Sequence, residues 1–112
     1  MTAIKFERRH LPRVKINLPL RYKIRRRPES GNAVCDDISV GGLAFINNEF
    51  IAPQTPLALE LNIFSRVLTP LGKIASATHL AHSDRYRIGV EFASIDNKDK
   101  DSISDYMFLK SL

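Results

Sequence analysis

Residues 14–24, VKINLPLRYKI, alternate between apolar and polar side chains without a break. Val14, Ile16, Leu18, Leu20, Tyr22 and Ile24 fall on one face of an extended chain, and Lys15, Asn17, Pro19, Arg21 and Lys23 on the other. A repeat of two sustained over eleven residues is the pattern of a half-buried β-strand. Pro19 lies on the polar side and cannot donate to a sheet ladder, so it predicts an edge or a bulge at that point. The rest of the chain has to supply this strand with neighbours.

It does so at short intervals. After the turn RRRPESGN (25–32), AVCDDIS (33–39) and GLAFIN (42–47) read as a second and a third strand, with Gly41–Gly42 bending the chain between them. NNEFIAPQTP (47–56) is a loop with two prolines. LALELNI (57–63) is a fourth strand with Leu57, Leu59, Leu61 and Ile63 inward. A turn near Pro70–Gly72 leads to KIASATHLAH (73–82), a strand of small residues. SDR (83–85) turns into YRIGVEFA (86–93), where Tyr86, Ile88, Val90 and Phe92 alternate. The tail then changes period. Ile103, Tyr106, Met107 and Lys110 follow helical spacing, with Leu109 and Leu112 widening the apolar side and a cap near Asp96 or Ser102. Six short strands and one closing helix predict a mainly β fold, a six-stranded antiparallel β-barrel with a C-terminal α-helix. Closing the sheet removes its open edges.

At 112 residues this is one domain, with an irregular and flexible N-terminal segment over 1–13 and the barrel with its helix over 14–112. There is no room for a separate catalytic domain. No run of about 18 apolar residues is present to span a membrane, and the start MTAIKFERRH lacks the apolar core of a signal peptide. The expected location is cytoplasmic. Cys35 is the single cysteine, so no intrachain disulfide can form. The charge is unevenly placed. Residues 1–28 hold ten Lys/Arg and one acid, Glu7, a charge of +9; with a total of +5, the remainder sums to −4. Such asymmetry points to an anionic partner for the N-terminal end, whether nucleic acid, nucleotide or membrane surface, unless it is simply a solvated basic face.

Two stretches sharpen that choice. RRHLPR (8–13) sets Arg9 and Arg13 four residues apart, but Pro12 works against a helix and pushes Leu11 towards extended geometry. The stretch is therefore an irregular lead-in to the first strand. Arginine captures phosphate in bidentate fashion, bonds the O6/N7 edge of guanine and stacks on bases, whereas lysine offers only a point charge. In DDISVGG (36–42), Asp37 and Ser39 stand two apart on a strand and share a face. A carboxylate accepts hydrogen bonds from donors such as guanine N1–H and N2–H₂, and a hydroxyl can bond phosphate. Gly41 and Gly42 allow a turn or the close approach of a ligand. Taken separately, each stretch also has a plain reading: a surface basic patch, and a Ser- or Asx-turn ahead of a Gly–Gly turn.

Together, Arg9-x-x-x-Arg13 and Asp37-x-Ser39-x-x-Gly42 resemble the paired RxxxR and [D/N]xSxxG motifs of the PilZ domain family. The resemblance runs over almost the whole chain, since YRIGVEF (86–92) is similar to the family's late strand with its glycine, here Gly89. It implies a six-stranded barrel that binds cyclic di-GMP, the bacterial second messenger. It further implies that Arg9 and Arg13 grip phosphate and guanine edges, that Asp37 holds a guanine edge and that Ser39 faces a phosphate or base. Gly42 gives the close turn, and Gly41 and Gly89 are further candidates. Arg8, just before the motif, implies two stacked ligand molecules instead of one. On this reading the chain is a receptor or adaptor, not an enzyme. It needs no cofactor, and its N-terminal segment rearranges on binding and signals to a partner protein.

Other signals are weaker. His79 and His82 are three apart and would point to opposite faces of a strand, which argues against a metal site. Cys35 reads as a small buried hydrophobe, and Arg25–Arg27 as a solvated turn. No nucleophile–base set, paired carboxylates or phosphate loop stands out. A basic single-stranded nucleic-acid-binding barrel is one competing function. It is disfavoured because most aromatics (Tyr22, Phe45, Tyr86, Phe92) fall on apolar strand faces, leaving Phe6 as the other aromatic of the N-terminal third. A ligand-independent adaptor is the other.

Overall fold

A computed structural model describes residues 12–112. Seven strands precede one helix: β1 (Val14–Ile24), β2 (Gly31–Ser39), β3 (Gly42–Asn47), β4 (Pro56–Ile63), β5 (Arg66–Leu68), β6 (Leu71–His79), β7 (Tyr86–Ser94) and α1 (Asn97–Lys110). The strand order is β1-β2-β3-β7-β6-β4-β5, and β1 also pairs with β4. The ring β1-β2-β3-β7-β6-β4 therefore closes as a six-stranded antiparallel barrel. The three-residue β5, which the sequence reading missed, hangs on β4 outside that ring. It is too short to show any alternation.

The expected faces hold. Leu20, Tyr22 and Ile24 of β1 and Leu57, Leu59, Leu61 and Ile63 of β4 are buried, with their polar neighbours outside. They meet Ile38, Leu43, Phe45, Ile74 and Ile88, all of them fully buried. Tyr22 stacks on Phe45 with ring centroids 5.1 Å apart. Pro19 stands where β1 loses β4, because that pairing begins at Leu20, and a register shift lies just before it between Lys15 and Leu18. The proline thus occupies a site where no ladder donor is needed on the β4 side.

Two elements differ from expectation. The fifth strand of the ring in chain order, β6, ends at His79 and not at residue 82. Leu80 N–H bonds Arg85 O, and His82 adopts φ 57°, so the hairpin turn starts earlier than the side-chain pattern suggests. In α1, Asp96 is the N-cap, its carboxylate accepting from the N–H groups of Lys98 and Asp99. Ile103 and Met107 are buried and Tyr106 is half-buried, but Leu109 and Leu112 are exposed. The apolar stripe that touches the barrel is narrower than the run of apolar letters. The helix packs against β1, β2 and β4. Arg66 of β5 donates to Asp99 Oδ1 at 2.8 Å and so ties the hairpin to its first turn. Among the described residues no helix is long and apolar enough to cross a membrane.

Candidate functional site

The outer wall formed by β2, β3, β7 and β6 carries a row of directly paired residues, Asp37–Ala44–Gly89–Ser76. Directly paired residues share a face, so one carboxylate stands beside three small side chains. The next row along the strands is Ser39–Gly42–Glu91–Lys73. Apart from Lys73, the two rows form the floor of an open cavity of about 590 Å³ that Arg13 and Arg87 also line.

Glycine is required on this floor for space, not for backbone angle, since no glycine has positive φ. A Cβ on Gly42 would lie 2.1 Å from the Val90 carbonyl oxygen. One on Gly89 would lie 2.7 Å from Ser76 Oγ and would fill the cavity from below.

Asp37 is the centre of an ion-pair cluster. Its side chain is 8% exposed. Arg13 donates to Asp37 Oδ1 from Nε at 3.2 Å and from Nη2 at 2.8 Å. Arg87 donates to Asp37 Oδ2 from Nη2 and to Asp36 Oδ2 from Nη1. Two successive residues reach one guanidinium because β2 shifts register between Cys35 and Asp37. Such a bulge re-aims side chains and lets neighbours point the same way. The other oxygen of Asp36, Oδ1, is buried with no hydrogen-bond partner among the described residues.

The sequence-predicted residues distribute as follows. Arg13, Asp37, Ser39, Gly41, Gly42 and Gly89 converge on the one cavity. Arg8 and Arg9 lie outside the described residues. Ser39 is 1% exposed, and its hydroxyl donates to Gly42 O at 3.3 Å while accepting from Gly41 N–H at 3.2 Å. It builds the turn between β2 and β3, the plain alternative for this stretch. Phe92, read as an inward residue, is half-buried and lines the cavity, and its N–H bonds Gly41 O at 2.9 Å.

Sequence reasoning missed Arg87 and Asp36. A signal for Arg87 was available, because it stands two residues before Gly89 on a strand and so shares its face. Asp36 gave none, since on an unbulged strand it would face away from Asp37. Arg25 and Arg26 are exposed in the turn after β1, and Arg27 pairs with Glu49. Among the described residues no group of three or more His, Cys, Asp or Glu side chains could hold a metal.

Burial pushes the Cys35 thiol up to about 12, with the carboxylates of Asp37 and Asp36 adding to the effect. The thiol behind the cavity is therefore an inert filler.

The chain matches the model of the PilZ domain over residues 7–109. A search of curated proteins finds no match. Among solved structures it is similar to the Bacillus subtilis inhibitor of motility (MotI/DgrA), with TM-score 0.81 and 15% identity over 91% of this chain and 50% of that one. It is also similar to the PilZ domain of Escherichia coli YcgR with c-di-GMP, with TM-score 0.74 and 13% identity over 93% and 92% of the two chains. The K. pneumonia MrkH–c-di-GMP complex gives TM-score 0.69 and 18% identity over 88% and 49%. The chain thus spans about half the length of MotI/DgrA and of MrkH, and nearly all of the YcgR domain. With the matched family covering the strands, the helix and both arginine and aspartate motifs, the chain belongs to the PilZ domain family.

Proposed function

We propose that this chain is a receptor for cyclic di-GMP, binding it on the outer wall of the barrel. The observation that carries this reading is the convergence of Arg13 with Asp37, Ser39, Gly41 and Gly42, from two motifs far apart in sequence, on one cavity. Its volume, about 590 Å³, is in the range of small-molecule sites. Gly42, Ala44, Ser76 and Gly89 keep part of the floor small-sided, leaving room for a planar base. Asp37 is the acceptor for guanine N–H groups, and Arg13 a bidentate donor to phosphate or to the O6/N7 edge. Arg9 takes the same part from the N-terminal segment, and Arg8 sets whether one ligand molecule binds or two. The YcgR domain and MrkH, described with c-di-GMP, support the choice of ligand.

On this reading the N-terminal segment orders over the ligand and a partner protein reads the changed surface, a recognised type of switch. Both the partner and the process belong to that proposal. So do the cytoplasmic location and the absence of catalysis.

Titration calorimetry with cyclic di-GMP tests the reading and returns stoichiometry. Arg9→Ala, Arg13→Ala and Asp37→Ala each remove a charged hydrogen bond worth roughly 1.5–3 kcal/mol, which weakens binding by about ten- to a hundredfold. Unchanged affinity in folded variants would sink the assignment. Hydrogen exchange should show added protection of residues 5–14 with ligand. Single-stranded RNA binding in a gel shift, without cyclic di-GMP binding, would favour a nucleic-acid barrel instead.

A further inference from the structure

We propose that Arg87 is a positioning residue for the ligand: it holds Asp37 through one carboxylate oxygen and leaves the other to be exchanged between Arg13 and the bound base. This rests on the cyclic di-GMP reading above and assigns a division of labour within it.

The geometry separates the two arginines. Arg13 engages only Oδ1 of Asp37, and its side chain is 49% exposed. It sits at the start of β1, next to the N-terminal segment, and has a single carboxylate partner among the described residues. Arg87 engages Oδ2 of Asp37 and also Asp36, is 32% exposed and stands in the middle of the wall on β7, paired on either side with Ile46 and Thr78. Arg13 bonds one carboxylate from a half-exposed side chain, whereas Arg87 is held by two carboxylates at once.

The acceptor count fits that division. With both arginines in place, each oxygen of Asp37 already has a donor. A guanine edge presenting N–H groups needs at least one oxygen vacated. The N–H fork that Arg13 presents to Oδ1 has the donor character of that edge. Exchange at Oδ1 swaps one set of N–H donors for another and frees Arg13 for the ligand's own acceptors. Throughout, Arg87 keeps the carboxylate plane from rotating.

Asp36 supplies the second constraint. Its Oδ1 is buried without a partner among the described residues, and its Oδ2 contact is to Arg87. Without Arg87, two adjacent carboxylates would face one another with a single cation, Arg13, between them and solvent. Arg13 would then be held more tightly and released less readily, while Asp37 lost its fixed orientation. Both effects disfavour the ligand: the first runs through the charge on Asp36, the second through the lost contact to Asp37.

The test is affinity for cyclic di-GMP by calorimetry on the full chain, with circular dichroism as the folding control. Arg87→Ala should weaken binding by about tenfold, the size of one lost charged hydrogen bond. Asp36→Asn alone should change affinity by less than about threefold, a small fraction of that interaction. Combined with Arg87→Ala, Asp36→Asn should recover part of the loss, because it removes the stranded charge but not the missing contact to Asp37. A purely structural Arg87 would give no such recovery.

Arg87→Lys keeps the charge but not the fork. It should fall between wild type and alanine, and it provides the measurement if the alanine variant does not fold. Wild-type affinity in Arg87→Ala or in Arg87→Lys overturns the inference, and so does a loss that Asp36→Asn fails to relieve. Wild-type protein that does not bind cyclic di-GMP overturns the site reading itself, and the division of labour with it.

Discussion

Cys35 sits in β2 directly behind the cavity, fully buried, with its thiol donating to the Asp37 carbonyl at 3.2 Å. Burial and the nearby carboxylates hold its proton on until about 12, against an ordinary value of 9.0. The unfolded chain gives that proton up earlier, so between those two values the unfolded state binds fewer protons than the native one. Stability is then fully present below about pH 9 and falls as pH rises through the window. Tyr22, raised first by burial, acts in the same direction at higher pH. Urea midpoints at about pH 8 and about pH 10.5 should therefore drop more for wild type than for Cys35→Ala, in which the thiol contribution is gone. The same thiol should resist alkylation until the chain unfolds. At this scale the sequence was a fair guide to Cys35, whose small apolar character needs no tertiary information. It gave no access to Asp36, because a bulge one residue long decides which way that side chain points.

Gly42 and Arg66 show what single positions do for whole elements. β3 approaches β7 so closely at Gly42 that a methyl group would overlap the Val90 carbonyl. Gly42→Ala should cost about 1–3 kcal/mol, the range for forcing extra atoms into a packed site. Thermal unfolding measures that cost, and cyclic di-GMP affinity should fall with it, since the β2–β3 turn lies on the cavity floor. Arg66 ties β5 to the first turn of α1. Asp99 is 12% exposed at its side chain, so Arg66→Ala leaves a nearly buried carboxylate without its partner. A loss of about 1–3 kcal/mol is expected for a polar group stranded in that way, read from denaturant midpoints, with earlier hydrogen exchange over residues 97–103. The long strands were legible because alternation over eight or more residues leaves little choice of face, as in β1 and β4. The extent of the helix stripe was not. Leu109 and Leu112 extend the apolar side in the sequence and stand in solvent, because the barrel takes up only the narrow stripe of Ile103, Tyr106 and Met107. β5 was illegible for the opposite reason: three residues carry no period.

For the whole molecule, six short strands pointed to a closed sheet, but not to the order in which they pair. β3 and β7 are neighbours although some forty residues separate them in the chain. No local pattern encodes that pairing. It follows from the need to satisfy both edges of every strand in the ring. The charge asymmetry was legible and raised the prospect of an anionic ligand, yet four of the charges at the site cancel among themselves: Arg13 and Arg87 against Asp36 and Asp37. The paired motifs located that site better than net charge did. The insertion of β7 between β3 and β6 also has a kinetic meaning. Sheet partners so distant in sequence form late, after the cost of closing long loops has been met. Until Tyr86–Ser94 zips into place, β3 and β6 each lack a neighbour, the cavity lacks the middle of its floor and Asp37 lacks one of its two arginines. A nascent or truncated chain ending before β7 can therefore display both motifs and still hold no ligand. A ligand held on this wall would therefore report that β7 has docked between β3 and β6.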